Sequence, residues 1–260
     1  MFKGKCALVT GSTGGLGLAV IDALAREGCH VVLNGLTKPE EMKDTLASIE
    51  TRYGVKAVYH ATDLAQPDKI EEMMKAVAAQ FGGVDILVNN AVVRHFSPVE
   101  TFPVAKWNEA LAVNLSSAFH TIRLALPHMR ARNWGRIINM ASIYSNIGAA
   151  NRIDYVTTKT AMLGMTRAVA METVETNITC NAVCPGSVLT EANAERIAGM
   201  ARTEGITPEA ATKKFLEGKQ PGGRFVEASS VAAMTVFLCS DAARDINAAS
   251  IPVDLGWIAA

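Results

Sequence analysis

Short apolar runs rich in β-branched residues alternate along the chain with longer segments whose apolar positions recur at helical spacing. The runs at 7–10, 30–34, 57–61, 86–90, 136–141, 179–183 and 249–253 predict strands. The segments at 16–27, 40–53, 67–81, 104–132 and 154–172 predict helices. Strand and helix in alternation predict a parallel sheet covered on both faces. Right-handed crossovers then make it a Rossmann-type doubly wound α/β fold, in which ligands bind beyond the carboxyl ends of the strands. No linker or low-complexity stretch divides the chain, so 1–260 reads as a single domain. The stretch 188–223 breaks the alternation with two helical pieces and ends at Gln220-Pro221-Gly222-Gly223. It reads either as a substrate lid or as a plain surface excursion.

Composition narrows the partners. Lysine plus arginine balance aspartate plus glutamate at 25 each, so nothing global draws the chain to nucleic acid or an anionic membrane. No apolar run is long enough to span a bilayer. Met1-Phe2-Lys3-Gly4-Lys5 runs straight into the first predicted strand, which leaves no room for a secretory signal and makes a cytoplasmic location the expectation. The five cysteines are scattered, and Cys180 and Cys184 share one face of a predicted strand, which reads as buried packing rather than a metal site. Trp107 and Trp134 also read as packing.

The turn Thr10-Gly11-Ser12-Thr13-Gly14-Gly15-Leu16-Gly17 lies between the first strand and the first helix. Glycines there let the backbone approach a pyrophosphate, and the helix end offers unpaired N–H groups. The second strand ends in Asn34-Gly35-Leu36, with neither an acid for a ribose diol nor an arginine for a 2′-phosphate; Lys38 is the nearest cation. This favours NAD as the cofactor. Asp63 reads equally as an acceptor for the adenine amino group and as a helix N-cap.

Tyr155 and Lys159 stand four apart at the start of a predicted helix, on one face. A neighbouring ammonium lowers a phenol's pKa and fits it for proton transfer. Ser142 follows an apolar strand at the sheet's carboxyl end, where its hydroxyl can orient a carbonyl. Asn114 interrupts an apolar helical stretch and reads either as a specific polar group or as a buried amide satisfied by backbone.

The glycine turn, Asn89-Asn90-Ala91, Asn114, Ser142, Tyr155-x-x-x-Lys159 and Pro185-Gly186 together resemble the short-chain dehydrogenase/reductase family over the whole chain. That resemblance implies a seven-stranded sheet and homotetramers packed through the helices bearing Asn114 and Tyr155. It implies Tyr155 as general acid/base, Lys159 on the nicotinamide ribose, Ser142 on the substrate oxygen, and Asn114 fixing a water that links Lys159 to solvent. Cofactor contacts are implied for Gly11, Thr13, Gly15, Leu16, Gly17, Asp63, Leu64, Asn90, Ala91, Tyr155, Lys159, Pro185, Gly186 and Val188. Two positions depart from the pattern: Val92 and Leu255 stand where glycine is usual.

Asn34-Gly35, Phe102-Pro103-x-x-x-Trp107, the 188–223 stretch and Gly256-Trp257 resemble the bacterial D-3-hydroxybutyrate dehydrogenases in particular. By that likeness Arg94, Ser142, Tyr144, Arg152, Tyr155, Arg196 and Trp257 line the substrate site, with Ser187 where that group has tryptophan. Three arginines in one small pocket require an anion, so the expected substrate is a small oxo or hydroxy acid, such as 3-hydroxybutyrate or a more highly charged dicarboxylate, phosphonate or sulfonate. Alternatively Arg94 and Arg196 face solvent or pair with Glu191 and Glu195, and His95 lines the site or sits in an exposed loop. Two other functions compete: an NADPH-dependent ketoreductase of the 3-oxoacyl carrier protein type, and a non-catalytic dinucleotide-binding sensor.

Overall fold

A computed structural model describes residues 1–260, the side chains at 191 and 192 excepted. The chain runs β1 (Cys6–Val9), α1 (Gly15–Arg26), β2 (His30–Asn34), α2 (Lys43–Tyr53), β3 (Ala57–His60), α3 (Pro67–Phe81) and β4 (Ile86–Asn89). It continues with α4 (Val104–Leu111), a π-helical turn (Ala112–Ser116), α5 (Ser117–Ala131), β5 (Gly135–Met140), α6 (Ile153–Glu172) and β6 (Ile178–Pro185). The 188–223 stretch supplies α7 (Glu191–Glu204) and α8 (Pro208–Leu216), and α9 (Ala228–Cys239) and β7 (Ser250–Val253) close the chain.

All seven strands pair in parallel in the order β3-β2-β1-β4-β5-β6-β7. Pleating divides each strand between two cores. Ala7, Val9, Val31, Leu33, Ile86 and Val88 pack toward α1 and α9, whereas Leu8, Val32, Leu87 and Ile137 pack toward α3 and α5. Burial on both faces explains why the strands read as continuous apolar runs. The order reverses between β1 and β4, and that switch point opens the crevice at the carboxyl ends. No helix among the described residues is long and apolar enough to cross a membrane.

Element ends differ from the sequence reading by a residue or two, as fraying ends do; three differences have a specific cause. Strand β6 extends through Pro185, because β7 pairs with it along Ala182 to Pro185. The 40–53 segment opens as a separate tight turn, Pro39–Met42, before α2. The expected helix over 104–132 contains the π-helical turn, which rotates the register at Asn114 in a way that a 3.6-residue period does not reveal. Cys180 and Cys184 are both buried, and burial pushes the Cys180 thiol up to about 12.

Candidate active site

The phosphate turn is built around glycine for steric reasons. Gly11 (φ 61°) and Gly15 (φ 53°) occupy the left-handed region. A Cβ on Gly11 would lie 2.7 Å from Ala91 Cα, and one on Gly17 would strike the Gly11 carbonyl. Side chains at Gly14 and Gly15 would instead meet nothing within 4 Å, so this is the open side of the turn. Helix α1 starts there with no side-chain cap and no acid in its first turn. Its first N–H groups are therefore available to an anion. Asn90 locks the turn by donating to the carbonyls of Thr10 (2.9 Å) and Gly11 (2.8 Å). Thr10 Oγ1 accepts from the Asn90 and Ala91 amides at 2.9 and 3.1 Å. The open glycine face and uncapped helix fit a dinucleotide pyrophosphate.

Asn34 has a function the sequence reading missed. It is fully buried. Its Oδ1 accepts from Gly11 N (3.3 Å), and its Nδ2 donates to the carbonyls of His60 and Thr62 (3.2 and 3.0 Å). The residue thus ties the turn to the ends of β2 and β3. A lone amide ending an apolar strand was the available signal. The N-cap reading of Asp63 is corrected: Gln66 occupies the α3 N-cap position, and the Asp63 carboxylate accepts from Ala65 N and Gln66 Nε2, both at 2.9 Å. Its proximity to the turn draws it into local chain reversal.

Tyr155 and Lys159 lie on the first turns of α6, both buried, with the Lys159 Nζ 5.9 Å from the tyrosine ring centroid. Lys159 Nζ donates to Met140 O at the end of β5. Ser142 follows that strand; its Oγ accepts from Tyr144 N (3.2 Å), and Ser145 joins it to the Lys159 carbonyl (2.8 Å). Burial pushes the Tyr155 phenol up, but the charges of Arg94 and Lys159, the Ser142 hydrogen bond and the Arg152 charge outweigh it, so the phenol titrates below the usual tyrosine value. Burial pulls the Lys159 ammonium down against the attraction of Tyr155.

Asn114 is buried in the π-helical turn. Its Oδ1 accepts from Val93 N (2.7 Å) and its Nδ2 donates to Val93 O (3.0 Å), while Thr158 Oγ1 lies 3.4 Å away. The amide clamps the chain after β4 against α6, which is a positioning task. The two glycine departures also separate. Val92 has no positive φ, whereas Leu255 has φ 57°, a conformation that costs a non-glycine residue about 1 kcal/mol. The Leu255 side chain packs on the first core.

Four of the expected substrate residues gather around Tyr155. The Arg94 and Arg152 guanidinium carbons lie 5.3 and 5.4 Å from its ring centroid. Arg152 also covers Phe96 (4.1 Å) and Tyr144 (5.4 Å), and Tyr144 meets Trp257 edge-on at 5.5 Å. Arg196 is not brought to Tyr155; it projects from exposed α7 onto Phe215 of α8, 5.4 Å from the ring. Among the described residues neither Arg94, Arg152 nor Arg196 forms an ion pair, Glu195 included; the Glu191 side chain lies outside the described residues. His95 faces away from solvent, with Nδ1 2.9 Å from Asp154 and Nε2 3.4 Å from Glu109. Pro185 ends β6, Gly186 follows it, and Val188 bridges to Val226. Gln220, another residue the sequence reading passed over, is buried there: it accepts from Ser187 N and donates to Arg224 O.

The short chain dehydrogenase family matches residues 5–201. A D-beta-hydroxybutyrate dehydrogenase of Cupriavidus necator is 42% identical over 259 residues, all of both chains. One of Rhizobium meliloti is 40% identical over 255 residues, 98% of this chain and 99% of that one. Among solved structures, L-sorbose reductase from Gluconobacter frateurii, complexed with NADPH and L-sorbose, superposes with a TM-score of 0.93 at 30% identity, covering 98% of this chain and 97% of that one. The chain belongs to the short-chain dehydrogenase family and is an oxidoreductase of that family with a nicotinamide dinucleotide site.

Proposed function

We propose that the protein is an NAD(H)-dependent dehydrogenase interconverting a small anionic hydroxy acid and its oxo acid, with Tyr155 as general acid/base. The observation that carries this reading is the convergence of Arg94 and Arg152 on the ring of a buried tyrosine beside Lys159. A carboxylate drawn to the two guanidiniums brings its own hydroxyl-bearing carbon to the phenol. Ser142 holds the reacting oxygen, and the phenolate form of Tyr155 takes the hydroxyl proton. Lys159 stabilises that phenolate. The dinucleotide supplies hydride acceptance and return when bound. Gly11, Thr13, Gly15, Leu16 and Gly17 would hold its pyrophosphate; Asp63, Leu64, Asn90 and Ala91 would line its adenosine side, and Pro185, Gly186 and Val188 its nicotinamide side.

D-3-hydroxybutyrate is the first substrate to test, because the two curated relatives carry that name. NAD is favoured over NADP because the end of β2 offers Gly35 and an exposed Leu36 and no cation. The segment 188–223 acts as the lid over this pocket. Exposed Phe119 on α5 and Met171 on α6 support assembly into a homotetramer through those helices.

With D-3-hydroxybutyrate and related hydroxy acids, kcat/KM for NAD exceeds that for NADP by about tenfold or more, the size of one well-placed charge contact. A preference for NADP would reverse the cofactor assignment. Arg152→Ala raises KM for the hydroxy acid by about 10-fold or more, the loss of a charge-assisted anchor, and leaves KM for a neutral ketone unchanged. Equal effects on both substrates would reject the anchor.

A further inference from the structure

The lid carries a second pair of cations that one carboxylate does not account for. Phe215, buried at the end of α8, has the Arg196 guanidinium 5.4 Å from its ring centroid and the Lys219 Nζ 4.2 Å from it. Lys219 is half-buried, and its Nζ donates to Phe215 O at 2.9 Å. It is not a loose surface lysine: its neighbour Gln220 is buried and holds Ser187 N and Arg224 O, which fixes this turn against the carboxyl end of β6. A Cβ on Gly186 would lie 2.7 Å from Gln220 Oε1, so strand end and lid end are in direct contact. Elsewhere on the lid a lysine finds an acid, as Lys214 finds Glu204 at 2.7 Å. Neither Lys219 nor Arg196 has such a partner among the described residues.

Burial pulls the Lys219 ammonium down, and repulsion from Arg196 and from Arg152 adds to this. Lys219 therefore shares its field with both the lid arginine and the arginine at Tyr155. Four cations, Arg94, Arg152, Arg196 and Lys219, thus stand in two pairs on two rings, one pair at the reacting tyrosine and one on the lid. Arg152 and Lys219 are partly buried while Arg94 and Arg196 are exposed, and like charges brought near one another at such a site repel unless anions lie between them.

We infer that the lid pair seats a second negative charge, so that the substrate is a short hydroxy acid carrying two, with Lys219 as a specificity-determining residue. This rests on the hydroxy-acid reading above and extends it. The chemistry is that of the family: the substrate's CH–OH loses a hydride to NAD and a proton to Tyr155, giving the ketone, while both negative charges stay in place. The second charge belongs either to a separate carboxylate or to a doubly ionised phosphonate.

The test compares kcat/KM with NAD for 3-hydroxybutyrate, 3-hydroxyglutarate, 2-hydroxypropylphosphonate and neutral 2-butanol, in the wild type, Lys219→Ala and Lys219→Arg. The wild type is expected to prefer a dianion to 3-hydroxybutyrate by about tenfold or more, one charge-assisted contact. Lys219→Ala is expected to lower that ratio by about tenfold and Lys219→Arg to retain it. Preference for 3-hydroxyglutarate assigns two separate anionic groups, and preference for the phosphonate assigns one doubly charged head. Malonate, which cannot react, is expected to raise Tm more than acetate does in the wild type, with the difference lost in Lys219→Ala. A wild-type ratio at or below one, or a ratio indifferent to Lys219→Ala, overturns the inference while leaving the hydroxy-acid reading intact. Turnover of 2-butanol without turnover of any of the acids overturns both.

Discussion

Tyr155→Phe is expected to lower kcat for hydroxy-acid oxidation by about 10²–10⁴-fold, the contribution of a positioned general base, with little change in KM. The ring remains in the substitution, so the guanidiniums of Arg94 and Arg152 keep the face over which they lie; only the titrating oxygen is removed. The pH profile gives the same claim a second readout. Oxidation uses the phenolate, so in the wild type its rate rises with pH to a plateau through an inflection below the ordinary tyrosine value, whereas ketone reduction uses the phenol and falls through the same point. Burial opposes that lowering and Arg94 is the largest cause of it. Removing its charge in Arg94→Gln is therefore expected to move the inflection upward. Kinetics of Tyr155→Phe at wild-type speed, or an inflection that ignores Arg94, would remove the tyrosine from the reaction.

The sequence makes part of this site legible because part of it is local. Tyr155 and Lys159 share a face through one helical turn, and Ser142 has its place just after an apolar strand, but it is the likeness to the family's whole motif order that marks them as a set. The doubly wound sheet is legible for the same reason, since burial on both faces writes itself into each strand. What is hidden depends on partners distant along the chain. Asn34 reads as a strand end lacking an acid, yet its amide joins three strand ends. Gln220 lies inside an ordinary turn sequence, and only its contact with Ser187 identifies it as the tie between the 188–223 segment and the sheet. Arg196 lies over Phe215, a neighbour nineteen residues away that its position in the sequence does not reveal. Val92 and Leu255 carry the same expectation, and the backbone separates them: only Leu255 is left-handed.

Gly17→Ala is expected to injure stability and cofactor binding together. The added methyl would strike the Gly11 carbonyl and lie 2.7 Å from Asn90 Nδ2 and 2.8 Å from Ser12 Cα. None of these neighbours can move freely. The Gly11 carbonyl and Asn90 Nδ2 are bonded to each other at 2.8 Å, and the Ser12 hydroxyl donates to Val9 O at 2.8 Å. Overpacking of such a rigid spot costs about 1–3 kcal/mol, which for a domain of this size lowers Tm by roughly 2–12 °C. The distortion also displaces the α1 N-terminus from the phosphate position, so Kd for NADH is expected to rise by about tenfold or more, equivalent to one lost charge-assisted contact. Gly14→Ala is the matched control for stability: its methyl meets nothing within 4 Å and its φ of −169° is open to any residue. An exposed change of that kind is expected to stay within about 0.5 kcal/mol. Melting by calorimetry and NADH fluorescence titration read the two effects separately. If Gly17→Ala melted and bound NADH like the wild type, close approach of α1 to the turn would not be what this glycine is for, and the pyrophosphate would have to be held elsewhere.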